Sequence, residues 1–307
     1  MTQTPVALFV FNRPDLTRLV VERVRRVTPP MLLVVADGPR TDEEARICEE
    51  ARAAVVDAVD WPCEVQTAFS PTNLGCRRRL SSGLDWVFSQ VEEAIVLEDD
   101  CLPVDSFFSY CDELLARYRD DERVMHIGGV NVSSRKWTSA ASYRFSATPH
   151  VWGWASWRRA WQHYDVTMAA WPAFVESGLL KSVTTSRSEE AYMRVMFDRT
   201  AAGEIDTWDY QWQFTCWTQS GLATVPRRSL VENVGFGPNA THTRSDPTRR
   251  YRAEEMRQIV HPTAIVRDRG RDAATFREQF ATGTFKQRVH NRIWLTRWVL
   301  SPHSWRH

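Results

Sequence analysis

No Gly-x-Gly-x-x-Gly occurs in the 307 residues, so the dinucleotide fingerprint is missing and hydride transfer is a poor candidate reaction. Nor does any stretch approach eighteen consecutive apolar residues, which argues against a membrane-spanning helix. The first residues lack the charged leader and long apolar segment of a secretory signal, so the expected compartment is cytoplasmic. The six cysteines, at 48, 63, 76, 101, 111 and 216, form no Cys-x-x-Cys pair; this disfavours a zinc knuckle or a redox motif and predicts reduced, mostly buried thiols. An excess of either charge is also absent: Lys plus Arg number 39 against 38 Asp plus Glu. No global field therefore favours nucleic acid, and a basic partner surface must be local. Internal repeats and low-complexity linkers are lacking too. What remains, 43% apolar and 25% charged residues, is ordinary for a soluble domain and sufficient for a core. The one excess is 14 Trp, concentrated between Trp137 and Trp217, more than a core of this size needs, and some are expected to line a pocket.

Along the chain, apolar runs alternate with segments of helical spacing. Pro5 to Phe11 reads as a strand ended by Asn12-Arg13-Pro14, and Leu16 to Val27 as a helix. Met31 to Val35 is a second buried strand, followed by a helix capped by Thr41 or Asp42 and running to Val59. Cys63 to Phe69 is a third strand, Cys76 to Val91 a helix, and Ala94 to Leu97 a fourth strand. A helix over Ser106–Arg119 and a strand over Val124–Gly128 follow. Such alternation predicts an α/β fold with a mainly parallel sheet and helices on both faces. Beyond it the sequence turns aromatic and irregular. Val151 to Trp157 is expected to begin as loop and turn into a helix, placing Trp154, Trp157 and Trp161 on one face, as core or as a sugar platform. Trp152 and Gly153 precede that helix and are better placed to meet a ligand. Glu189–Ala202 is another helix, Thr207 to Trp212 starts a further one, and Arg227–Asn233 reads as a strand before the Gly-rich loop Gly235 to His242.

The chemical centre is Glu98-Asp99-Asp100, at the end of the fourth strand. In open α/β sheets ligands sit at the carboxyl ends of strands. Three adjacent carboxylates repel one another unless a cation compresses the repulsion, and hard oxygen ligands suit Mg²⁺ or Mn²⁺. Such a metal takes the oxygens of a substrate diphosphate, so the motif points to metal-assisted chemistry on a nucleotide; a solvated acidic loop is the alternative.

Taken in order, Phe11-Asn-Arg13, Ala36-Asp37, Val96-Leu-Glu-Asp-Asp100, Trp152-Gly-Trp154, Trp208-Asp-Tyr-Gln-Trp212 and Phe236-Gly-Pro-Asn-Ala-Thr-His242 resemble the metal-dependent nucleotide-sugar glycosyltransferases of the GT-A fold, N-acetylglucosaminyltransferase I above all. The likeness spans roughly residues 5 to 245 and implies a UDP-sugar donor, a carbohydrate or glycoconjugate acceptor, and Mn²⁺ or Mg²⁺. It implies that Arg13 faces the diphosphate, that Asp37 accepts a hydrogen bond from the base, and that Asp100 is the direct metal ligand while Asp99 and Glu98 reach the ribose and donor sugar. It further implies that His242 closes a loop over the phosphates, although a surface loop histidine is the bland alternative. Of Arg77, Arg78 and Arg79 at least one is expected to point at the nucleotide, with Arg77 first in line. Trp152, Gly153, Trp154, Trp208 and Trp212 are the expected substrate contacts. Asp209 is the expected catalytic base, with helix capping as its other reading.

The resulting division is a catalytic domain over 1–250, with a nucleotide-binding half to 130 and an acceptor half beyond it, and a C-terminal helical extension over 251–307. The chain begins almost at its first strand, unlike anchored members of that family, so a protein N-glycan is not the expected acceptor. The expectation is an inverting glycosyltransferase of surface-glycan or glycoconjugate assembly. A sugar-phosphate nucleotidyltransferase is the alternative, although Phe9 to Asp15 holds neither a Gly-rich loop nor a Lys; a non-catalytic carbohydrate-binding protein is the third reading. Phe285 to Leu300 interleaves aromatic and basic residues and is expected either to lie on an anionic membrane, giving peripheral association through 284–307, or to pack on the domain.

Overall fold

Strand β1 (Val6–Val10) is buried along its whole length, and Pro14, whose ring fixes a helical φ, opens α1 (Pro14–Val27) immediately after it. The structure is a computed structural model that describes residues 1–235 and 252–280. The alternation continues through β2 (Met31–Ala36), α2 (Asp42–Val56), β3 (Glu64–Phe69), α3 (Gly75–Gln90) and β4 (Glu93–Glu98). Thr41 is the cap of α2, its side chain accepting the Glu44 N–H. There follow β5 (Cys101–Pro103), α4 (Asp105–Tyr118), β6 (Val124–Gly128), β7 (Tyr143–Ser146) and β8 (Trp154–Trp157). The helices α5 (Arg158–Trp161), α6 (Trp171–Glu176), α7 (Leu180–Val183), α8 (Arg187–Ala201) and α9 (Asp209–Thr218) come next. Strands β9 (Leu222–Pro226) and β10 (Val231–Asn233) precede α10 (Arg269–Phe280).

Eight strands form one sheet in the order β3-β2-β1-β4-β8-β6-β9-β7. The first four are mutually parallel, and β6 and β9 share their direction, since β8 runs antiparallel to both β4 and β6. Only β8 and the edge strand β7 oppose it. The fold is therefore α/β with a mostly parallel sheet, as the alternation implies. From β1 the chain moves outward to β2 and β3 and then returns to place β4 on the other side of β1. This reversal opens a crevice at the carboxyl ends of β1 and β4.

Residues alternate between the two faces, as the pleat requires. Val6, Leu8, Leu32, Ile95 and Leu97 pack with α1 and α4 on one side, and Ala7, Phe9, Leu33, Val35 and Val96 with α3 and α9 on the other. Here the aromatic stretch departs from expectation. Trp154–Trp157 is a strand, so Trp154 joins the α3 and α9 side while Trp157 joins the opposite core with Ala155. Adjacent sheet strands on both sides supply hydrogen bonds that override the helical spacing of the tryptophans. Strands β7 and β9 were not expected, and Arg227–Asn233 contracts to β10, which pairs with β5 in a separate two-stranded ribbon. His242 and the segment Phe285–Leu300 lie outside the described residues, among which no helix is long and apolar enough to cross a membrane.

Candidate active site

The loops after β1, β2 and β4 meet in the crevice. Arg13, just past β1, places Nη1 2.8 Å from Asp100 Oδ2 and 3.5 Å from Asp99 Oδ1. Asp99, 7% exposed, also accepts the Phe11 N–H at Oδ2, 3.2 Å away. Both of its oxygens thus have protein partners, and it ties the β1 loop to the β4 loop. Burial first, then Asp100, pushes the Asp99 carboxyl up to about 7, against Arg13 and the Phe11 N–H. Burial, then Asp100 and Asp99, likewise holds Glu98 well above the ordinary carboxylate range, and Asp209 adds to the effect. That last influence is informative, because it shows that the base candidate from the far half of the chain stands within electrostatic reach of the carboxylate motif.

Asp100 is framed by the β5–β10 ribbon. Asn233 Nδ2 donates to its Oδ1 at 3.2 Å, and its carbonyl accepts the Val234 N–H at 2.8 Å. Gly235 lies so close that a Cβ there would stand 2.1 Å from Asp100 Oδ2, so only glycine allows this approach. Among the described residues no group of three His, Cys, Asp or Glu is arranged to hold a metal by itself. The donor set nonetheless fits a magnesium-like ion that keeps waters and takes substrate oxygens. Among the described residues Asp100 Oδ2 accepts one bond, from Arg13, and a carboxylate oxygen has room for a second partner.

Asp37 has no such room. Oδ1 accepts the N–H groups of Gly38 and Leu74, both at 2.9 Å, and Oδ2 accepts Gly75 N and Asn73 Nδ2, both at 3.1 Å. Four acceptor positions are filled by the protein, so Asp37, the expected base contact, anchors the β2 loop to the start of α3. Asp206 completes that anchor by accepting Cys76 N at 3.2 Å and Arg77 N at 3.1 Å. No local sequence signal marks Asp206, whose partners lie about 130 residues away. The first turn of α3 is therefore capped by two carboxylates. Arg77 is part-exposed beside this cap, Arg78 is exposed, and Arg79 is buried with Nη2 donating to the Ala68 carbonyl.

Asp209 opens α9 without capping it. Its Oδ1 accepts from the Thr207 hydroxyl and, at 2.9 Å, from the Tyr210 N–H. No hydrogen bond reaches Oδ2 among the described residues. Asp209 lines a cavity of about 170 Å³ together with Trp152, His150, Tyr210 and Gln213. Trp152 is thus brought together with Asp209. Of the other expected tryptophan contacts, Trp154, Trp208 and Trp212 are 0%, 3% and 0% exposed and pack in one aromatic cluster with His126. Gly153, at φ +64, packs where a Cβ would meet Val231 at 2.6 Å; its carbonyl accepts the Gly129 N–H at 2.8 Å. Gly153 sets the bend that places Trp152 next to the Asp100 ribbon.

No protein-family profile matches the chain, and no curated protein does. Among solved structures it is similar to 4-diphosphocytidyl-2C-methyl-D-erythritol synthase from Anaerococcus prevotii, with 9% identity over 74% of this chain and 91% of that one and a TM-score of 0.38. A UDP-glucose pyrophosphorylase complexed with UDP-glucose matches at 8% identity over 52% of this chain and 78% of that one, TM-score 0.32. An apo UDP-glucose pyrophosphorylase gives 8% over 74% and 93%, TM-score 0.37. Similarity at this level does not bear on which reaction the chain runs.

Proposed function

We propose that this chain is a metal-dependent enzyme acting on a nucleoside-diphosphate sugar. The observation that carries the reading is the convergence, at the reversal point of a mostly parallel sheet, of Arg13, the Glu98-Asp99-Asp100 carboxylates and the Asp209–Trp152 cavity. Arg13 suits a diphosphate because its planar fork pairs phosphate oxygens. Asp100 would hold a Mg²⁺ or Mn²⁺ ion, which when bound supplies positive charge to the diphosphate. A cation there also lowers the proton affinity that burial and mutual repulsion have raised in Glu98 and Asp99.

Two reactions meet this description. Nucleotidyl transfer, the chemistry the name pyrophosphorylase denotes for the structures above, joins a sugar 1-phosphate to a nucleotide and needs no base in the Trp152 cavity. Glycosyl transfer from a UDP-sugar to an acceptor hydroxyl needs one, and the unpartnered Oδ2 of Asp209 is the specific observation in its favour. There the acceptor O–H is deprotonated by Asp209 as its oxygen bonds the anomeric carbon, and the bond to the UDP oxygen breaks. One assay separates them: UDP-sugar and Mn²⁺, with and without pyrophosphate. Pyrophosphate-dependent formation of UTP and sugar 1-phosphate establishes nucleotidyl transfer. Slow release of UDP without pyrophosphate establishes glycosyl transfer, with water as the poor acceptor. Neither product, with UDP binding intact, leaves a carbohydrate-binding protein.

A further inference from the structure

A second cavity, of about 430 Å³, lies on the other side of one strip of backbone. Val132 lines the Asp209 cavity, whereas its neighbours Asn131 and Ser133 line the second, so a chain segment of at most about 7 Å separates their positions. Among the described residues Arg135, Lys136, Arg227, Arg228 and Arg252 line it against one anion, Glu254. Glu254 is committed to Arg228 at 2.8 Å. Among the described residues the side chains of Lys136, Arg227 and Arg252 have no partner, and Arg135 donates only to the Gly270 carbonyl at 3.2 Å. In a protein whose total charge is +1, gathering five cations in one concavity costs mutual repulsion that an anionic ligand would relieve.

The cationic loop is held in place from behind. Arg271 of α10 donates to the carbonyls of Arg135 at 3.2 Å and Lys136 at 2.8 Å and stacks on Trp137, 4.7 Å from its ring centre. Glu278 accepts the Ser134 N–H at 2.6 Å. From the opposite wall, Asn131 Nδ2 donates to the Arg227 carbonyl at 3.0 Å and Ser229 Oγ bridges to Asn131. The charges are thus presented by fixed backbone, which lowers the ordering cost of binding.

We propose that this cavity binds a phosphoryl anion at a site separate from the carboxylate crevice. Guanidinium groups pair phosphate oxygens in a fork, and several of them around one concavity favour a multiply charged group over a single carboxylate. That the phosphate belongs to the second substrate, whose other end reaches around the 131–133 strip to Asp209, rests on the proposed function. The binding itself does not.

The test is calorimetric titration of the full chain with inorganic pyrophosphate in the presence of EDTA, which leaves the carboxylate crevice without a cation to gather the anion. One site is expected, weakening as salt is raised. The pair Arg227→Ala and Arg252→Ala should weaken it at least about tenfold, the loss of roughly one charge-assisted hydrogen bond or more. Removing equal charge elsewhere, by Arg26→Ala and Arg46→Ala, should leave it unchanged. No binding at millimolar pyrophosphate, or an equal loss in both double variants, overturns the proposal. Sedimentation with phosphatidate vesicles then names the source: binding lost in the Arg227 and Arg252 pair assigns a lipid phosphate, and pyrophosphate binding without sedimentation assigns a soluble one. Failure of the proposed function is read separately, from UDP binding with Mn²⁺.

Discussion

The two oxygens of Asp209 have different surroundings: Oδ1 is fixed by the Thr207 hydroxyl and the Tyr210 N–H, while Oδ2 is left to the cavity. A base needs that combination, one oxygen oriented and the other available. Asp209→Asn preserves the shape and is expected to fold normally and to bind UDP with Mn²⁺ as wild type does. It should nevertheless lose glycosyl transfer on the order of 10²-fold, while pyrophosphate exchange, if that is the reaction, would stay near wild type. Asp100→Asn is expected to do the reverse, removing the charge that balances a divalent ion and with it metal-dependent UDP binding, and EDTA should mimic it in calorimetry. UDP binding indifferent to both treatments would sink the metal assignment. The position of Asp100 was legible in the sequence because the end of an apolar strand fixes where it stands. The hydrogen bonds of Asp37 were not, because its donors Leu74 and Gly75 arrive from an element nearly forty residues later, and residue type cannot tell a ligand acceptor from a cap.

At the level of elements, β6 carries His126 into the middle of the core, fully buried. Its Nε2 lies 3.0 Å from the His150 carbonyl and its Nδ1 accepts the Trp212 N–H at 3.2 Å, an arrangement that suits the neutral ring. Burial lowers His126 to about 3 and, with Arg144, lowers His150 to about 4, from an ordinary 6.5. As pH falls below 6.5, the unfolded chain takes up protons at these two sites that the folded chain refuses, so the stability they contribute is present above that value and drains away in acid, opposed by Glu98 and Asp99, whose raised proton affinity favours the folded chain there. Each histidine is expected to contribute a slope of about 1.4 kcal/mol per pH unit between about pH 6 and 5. Urea midpoints across that range should give His126→Asn a slope that differs from wild type by about that amount, and equal slopes in the two proteins would return the effect to other groups. The parallel elements were readable from alternation because each is an apolar run bounded by turn residues. The strand Trp154–Trp157 was not, since its tryptophans match helical spacing and only the presence of β4 and β6 on its flanks decides.

For the whole molecule, a buried carboxylate joins the backbone bond from Asp268 N–H to the Phe145 carbonyl, at 2.9 Å, in fastening the 252–280 segment to the sheet. Asp272 accepts from Arg144 Nη1, Arg267 Nε and Ser146 Oγ, each at 2.7 Å, and from Ala147 N at 3.1 Å. Burial alone would raise this acid, yet Arg144, Ser146 and Arg267 together hold it below the usual carboxylate range. Asp272→Ala strands Arg144, itself 6% exposed, and is expected to cost about 3–5 kcal/mol in chemical denaturation. The same loss should loosen α10 from the 133–137 loop, visible as faster hydrogen exchange there. None of this clasp could be read from the sequence, because an Asp among arginines near a chain end is indistinguishable from solvated charge. A different consequence follows from β8 lying between β4 and β6. During synthesis on the ribosome the first 128 residues emerge with those two strands lacking the one that joins them, each exposing an unpaired edge. Folding cannot condense outward from the amino end alone; it waits for a stretch some thirty residues further on, and a fragment ending at residue 130, purified by itself, should show no cooperative unfolding transition.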